Sequence, residues 1–278
     1  MAYKIIGDSC TDLTEQMKKD SHIKLIPLTL QVDGKEIIDD ETFNQKEFIK
    51  LMKESQNPPK SACPAPEAYL EAYKEDADIY VVTLSSQLSG SYNSAEVAKK
   101  MYFEEFGEKN IVVIDSKSAS VGQTLLVMKI QELIESGYAF DEVVKQVLQY
   151  REEQNTKFVL ETLDVLQKNG RLSTMKALIC NTLNIKPIMT ATPEGRIDKE
   201  EQARGMSKAL KKMAECVAKD VINPTDKILG IAHCNALERA EYTKERILEL
   251  VPFKEVVIVE DAGVSTMYAN EGGIIVAY

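Results

Sequence analysis

At 278 residues and 44% hydrophobic composition, the chain is long enough for one large domain or two ordinary ones, with ample material for a packed core. A formal net charge of −10 excludes a protein that coats nucleic-acid phosphates, since such proteins draw their affinity from Lys and Arg. Five cysteines at wide, irregular spacings and only two histidines argue against a disulfide framework and a His-rich metal site, so reduced thiols and no metal are expected.

The first residues turn polar too soon for a secretory signal or a bilayer span, which makes the cytoplasm the expected compartment. A strand over 3–7 then precedes a helix over 11–19, for which Asp12 is a natural cap. Residues 25–32 read as a strand, Asp33 and Gly34 as a tight turn, and 35–38 as a short returning strand. Four prolines between Asn57 and Pro66 make that stretch a stiff, non-helical loop, with Pro66 opening a helix over 67–74. Strand–helix alternation follows: strand 79–84 with helix 89–106, and strand 111–114 with helix 119–135. After a helix over 141–154 a fresh strand begins at 157, which places a domain boundary between residues 155 and 156.

In the second half, Gly170 closes a helix and Ser173 or Thr174 caps the next. Strands over 185–191, 227–232 and 255–259 alternate with helices over 200–219 and 236–250. Pro193 and Gly195 supply turn geometry for a hairpin over 189–198. The alternation as a whole is that of an α/β layer protein with a largely parallel sheet.

The densest run of potential chemistry is the hydroxyl-rich stretch from Leu84 to Ala95, which an apolar strand delivers to a helix start. Unpaired amides at such a start favour an anion, and Gly90 lets it approach the backbone without help from a Lys. Ser89 caps the helix on the simpler reading, and capping and ligand binding are compatible. Ser61 sits in the proline-rich loop, where two hydroxyl groups from different segments can share one carboxylate or phosphate. Ser9, Asp115, Ser116 and His233 lie at other strand ends, where open α/β sheets put their ligands. A lone His in such a place is as often a structural hydrogen-bonding residue as a catalyst. Arg171, between two helices, can approach an anion or satisfy local carbonyls. No dinucleotide-binding glycine motif, phosphate loop or complete nucleophile elbow is present, because Thr11 stands where the glycine closing the segment from Gly7 would be.

Taken in order, Asp8-Ser9 with Asp12-Leu13, Lys60-Ser61 with Pro64, the stretch from Leu84 to Ala95, Val113 to Ser116, Glu161 to Leu166, Gly170-Arg171, Lys186-Pro187 and His233 resemble the DegV family over essentially the whole chain. The resemblance implies two α/β domains, 1–155 and 156–278, with a mainly parallel sheet in the first, a mixed sheet in the second and the ligand between them. It implies a non-enzymatic carrier of a long-chain fatty acid such as palmitate, stearate or oleate, with no catalytic residue and no cofactor. The family's carboxylate ligands fall on Ser61 and Ser89; Ser9, Gly90, Ser91, Asp115, Ser116 and His233, at the strand ends and the helix start, are a separate, secondary candidate site. Family members present the acid to a separate ATP-dependent fatty-acid kinase for phospholipid synthesis, and Arg171 and Arg204 correspond to arginines associated with docking it. Transient contact with a membrane surface for lipid exchange belongs to the same picture, and nucleic acid does not.

Two hydroxyls and a helix start can solvate a carboxylate while the chain lies in an apolar tunnel. At roughly 0.8 kcal/mol per buried methylene, the tail then dominates affinity and the hydroxyls set orientation. Ser61 stands where many members have Thr, and Met267 and Tyr268 stand where a His-containing segment is expected. The second departure bears on the phosphotransfer step rather than on the clamp. Two rivals remain: an acyl or phosphoryl transferase with Ser89 or Ser91 as nucleophile and His233 as base, and a regulatory module for a small anion such as a sugar phosphate.

Overall fold

The computed structural model describes residues 2–172 and 184–278 of the chain. The predicted helix opening at Ser173 or Thr174 lies outside those residues.

Strand β1 (Tyr3–Asp8) opens the fold, but the helix expected over 11–19 is reduced to a single 3-10 turn at Met17–Lys19. The reason is tertiary. Asp12 does not cap its own segment: its Oδ1 accepts the Ala262 amide at 2.6 Å, 250 residues away. Gln123 donates to Thr11 Oγ1 and Thr124 to the Asp12 carbonyl, so this stretch of backbone is held from outside. The strand expected over 25–32 is two strands, β2 (Ile23–Ile26) and β3 (Thr29–Val32), split at Pro27, which has no amide to donate. The predicted returning strand is β4 (Lys35–Ile38), joined to β3 through Asp33 and Gly34 with positive φ at both, as a primed hairpin turn requires.

Helix α1 (Gln45–Glu54), capped by Asn44, was not expected from the sequence. The proline-rich stretch is more ordered than a connector, because Lys60–Ala62 forms strand β5 against β3. Pro66 does open helix α2 (Pro66–Tyr73). Strand β6 (Asp78–Thr83) leads to helix α3 (Ser91–Phe106), which begins two residues later than expected with Gly90 at its N-cap. Strand β7 (Ile111–Asp115) and helices α4 (Val121–Glu135) and α5 (Phe140–Glu153) complete the first half.

Strand β8 (Thr156–Val159) is followed by helix α6 (Asp164–Lys168), which Gly170 closes at φ +78°, with the Arg171 amide reaching back to the Leu166 carbonyl. Strands β9 (Ile185–Ala191) and β10 (Ile197–Arg204) form the predicted hairpin, extended well beyond its predicted arms. The first turn of the helix expected over 200–219 is therefore strand. Glu200 has helical propensity, but it answers the buried Lys157 ammonium at 2.5 Å, and that demand outweighs local preference. Helix α7 (Met206–Asp220), strand β11 (Ile228–His233), helix α8 (Leu237–Leu248) and strand β12 (Glu255–Glu260) then follow. Helix α9 (Gly263–Ala269) and strand β13 (Ile274–Ala277) were not expected.

The sheets carry the architecture. A four-stranded parallel sheet has the order β2-β1-β6-β7, a six-stranded mixed sheet the order β10-β9-β8-β13-β11-β12, and a small antiparallel sheet the order β4-β3-β5. Successive residues of the parallel sheet face opposite cores, so both faces are covered. Ile5, Val82 and Ile114 pack against α4 and α5, while Ile6, Val81 and Val113 pack against α2 and α3. One face of the mixed sheet packs on α7 and α8. Its other face meets the first half of the chain through α4, where Val121 and Leu125 lie over Ala232 and Ala277. Gly230 permits this approach, since a Cβ there would sit 2.5 Å from Val121 Cγ2.

Candidate functional site

A cavity of about 330 Å³ lies between the two halves, within the size range of small-molecule sites. Leu28, Leu84 and Leu88 wall it from one side, and Phe158, Leu160 and Ile197 from the other. No Asp, Glu or His is among its described lining residues, whereas Lys117, Arg171 and Arg196 are. On a chain of net charge −10, an apolar cavity bordered by cations alone suits a ligand with an anionic head and an apolar body.

Ser61 and Ser89 both line this cavity. β5 holds Ser61 in register opposite Leu30, where it is more buried than its strand neighbours Lys60 and Ala62. Ser89 is held by a turn in which its amide bonds the Ser85 carbonyl. Its Oγ accepts the Ser91 amide at 3.2 Å and lies 3.0 Å from Ser91 Oγ. A bond of capping type is therefore made, and the hydroxyl proton remains available to Ser91 or to a ligand. Gly90 permits a close approach that the sequence reading did not foresee: a Cβ there would lie 2.8 Å from Cys63 Sγ. Without a side chain at 90, the segment carrying Ser61 can close on the start of α3.

Most of the other predicted site residues serve the frame. Ser9 donates to Asp39 and accepts the Leu28 amide. Ser91 is fully buried beneath Ser89. Asp115 accepts the amides of Ser86 and Lys117, and Ser116 bonds the backbone of Ser118. His233 is buried with its Nδ1 toward the Ala236 amide, and desolvation lowers its pKa against the opposing pull of Glu260. None of these five lines the cavity. The transferase reading therefore lacks its base at Ser89, and burial pushes the Cys10 thiol in the cavity wall well up, away from nucleophilic use. Arg171 does reach the cavity, with Nε on the Leu88 carbonyl and Nη1 on that of Asn169. Arg204 is exposed at the end of β10 and is not among the lining residues.

Two features of the site escaped sequence reasoning. Tyr268 on α9 brings its phenol to 3.1 Å from Ser61 Oγ, beneath the Arg171 guanidinium at 5.8 Å from the ring. Its only signal was that it departs from the family pattern. The second is how α9 is held. Asp39 Oδ1 and Oδ2 accept the Gly263 and Val264 amides at 2.7 and 2.8 Å, and Asp12 takes that of Ala262. Burial raises Asp12 to about 6 and Asp39 to about 7, and it pushes Asp261 well up beside Asp12. These carboxyls are widely separated in sequence, and no local pattern links them.

A wider groove of about 1290 Å³ between α4 and the β12 edge is lined by charged groups including Glu15, Lys129 and Glu255, and holds none of the predicted residues. Among the described residues no cluster of His, Cys, Asp and Glu is arranged for a metal, and no helix is long and apolar enough to cross a membrane. Cys10, Cys63, Cys216 and Cys234 are free thiols.

Comparison with known proteins adds a family. The DegV family profile, described as "Uncharacterised protein, DegV family", matches residues 2–278. A DegV domain-containing protein of Streptococcus gordonii is 35% identical over 280 residues, covering all of this chain and 99% of the relative. Among solved structures, a DegV family protein from Ruminococcus gnavus, refined with vaccenic acid, is 51% identical with a TM-score of 0.98 over the whole of both chains. The Fatty Acid Kinase B3 protein of Streptococcus pneumoniae, loaded with linoleic acid, is 34% identical with a TM-score of 0.92, over all of this chain and 99% of that one.

Proposed function

This chain belongs to the DegV family, and on that premise we propose that it binds one long-chain fatty acid, tail in the apolar cavity and carboxylate at Ser61 and Ser89. The observation that carries the reading is the cavity itself, walled by leucines and with cations as the only charged groups among its described lining residues. A sugar phosphate would leave those leucines unused. The vaccenic and linoleic acids held by the relatives named above support the same ligand class.

The protein acts in this reading as a cytoplasmic carrier without a cofactor or turnover of its own. The kinase association in the name of the pneumococcal relative supports a kinase partner that receives the acid. Arg171 beside the cavity and Arg204 on the surface are the proposed docking residues. A division between residues 155 and 156 belongs to the same proposal: the parallel sheet ends at Asp115 and the mixed sheet begins at Thr156, with the ligand between.

Ser61→Ala combined with Ser89→Ala tests the clamp. Each hydroxyl bonded to a charged acceptor is worth about 1.5–3 kcal/mol, so palmitate affinity falls roughly a hundredfold or more. Titration calorimetry on lipid-stripped protein reads this directly. An affinity equal to wild type would place the carboxylate elsewhere.

A further inference from the structure

We propose that Tyr268 is a third hydroxyl ligand of the bound carboxylate and the residue that distinguishes a free acid from an esterified or reduced head group; this rests on the fatty-acid reading above. Val264, Ser265, Tyr268 and Ala269 all line the cavity, which is the face that a helical repeat of 3.6 residues presents. The phenol is not a loosely placed side chain. The amides that open α9 are held by Asp12 and Asp39, and Gln45 donates to the Asp261 carbonyl and to Thr266 Oγ1, so the first half of the chain fixes the helix that carries it.

The geometry at Ser61 supplies the rest. Two hydroxyls 3.1 Å apart share one hydrogen bond, which uses one of their two protons and leaves the other for a different acceptor. A carboxylate is acceptor-only, with about four lone-pair sites over its two oxygens, so when Ser61 and Tyr268 exchange their mutual bond for it, it can take a proton from each of them together with that of Ser89. The Arg171 guanidinium over the tyrosine ring adds positive potential on the same side and restrains the ring. Bonds to an ionised acceptor are roughly twice as strong as bonds to a neutral one, so the phenol favours the free acid over an alcohol or ester.

Tyr268→Phe keeps the ring and removes only the donor. The test measures binding of palmitate and of hexadecanol to lipid-stripped wild type and variant, by displacement of a fluorescent fatty-acid analogue. Palmitate should weaken roughly tenfold while hexadecanol stays within about threefold, which narrows the preference for the acid. Equal weakening of both ligands would make Tyr268 a packing residue and overturn the proposal, as would unchanged palmitate binding. A wild type that binds hexadecanol but not palmitate, or neither, would instead remove the fatty-acid reading on which the proposal stands.

Discussion

Decanoate is expected to bind at least a hundredfold more weakly than palmitate. The two acids have the same head group and differ by about six methylenes, each worth roughly 0.8 kcal/mol when taken out of water, for a gross loss of about 5 kcal/mol. Ordering a longer chain takes back part of this, which leaves about two to three orders of magnitude in affinity. The cavity wall dictates the slope, because Leu28, Leu84, Leu88, Phe158, Leu160 and Ile197 offer the tail contact and no competing charge. The hydroxyls and Arg171 contribute equally to both acids and cancel. Calorimetric titration across a chain-length series reads the increment per methylene. A decanoate affinity within tenfold of palmitate would mean that the head group dominates, and would favour a small polar anion as the ligand.

Asp39→Ala is expected to cost about 3–5 kcal/mol of folding stability, visible as a large drop in the denaturant midpoint. The carboxylate is 3% exposed and accepts the amides of Gly263 and Val264 and the hydroxyl of Ser9. Truncation leaves all three donors without an acceptor, at about 1–3 kcal/mol each before relaxation. Nor can the backbone simply close the gap: with the carboxylate gone Leu30 still limits the approach, since a Cβ on Gly263 would lie 2.9 Å from Leu30 Cδ1. Since α9 carries Tyr268 to Ser61, palmitate binding should weaken together with stability. A loss below about 1 kcal/mol would show that the helix is held by other contacts.

The same carboxyl gives a pH signature. Burial raises Asp39 from 3.8 to about 7, against its three donors, which lower it. The folded protein thus holds this proton more tightly than the unfolded chain. Its contribution to stability is fully present below about pH 4 and is lost as pH rises through about 7. Asp39→Asn, which cannot titrate, should therefore lose less stability than wild type between pH 5 and pH 8 when melting temperatures are compared. Parallel profiles for the two proteins would assign the titration elsewhere.

The parts of the fold legible in the sequence are those whose cause is local. Apolar runs at β1, β6 and β7 announce a buried parallel sheet because both of its faces are covered. Asp33-Gly34 and Pro193 with Gly195 announce turns through their own backbone preferences. What failed has distant causes. Residues 11–19 lose their helix to a bond between Asp12 and Ala262, and Glu200 joins a strand beside Lys157. Strand β13 has only four residues, and its pairing with β8 and β11 is what makes it a central strand. The site divides in the same way. Ser89 is visible as a hydroxyl at a helix start, and Ser61 as one hydroxyl in a stiff loop. Their approach depends on the close contact of Gly90 with Cys63, and the partnership of Ser61 with Tyr268 spans 207 residues. No local periodicity encodes either contact.

The central claim is that this protein holds a fatty acid by its tail in the cavity and by its carboxylate at the serines, and the protein as purified tests it most directly. Mass spectrometry of the solvent extract from protein purified without added lipid should give close to one long-chain fatty acid per chain, with its amount sharply reduced in the Ser61→Ala/Ser89→Ala variant. A wild-type extract empty of fatty acid, from protein that also fails to take up palmitate afterwards, would contradict the account.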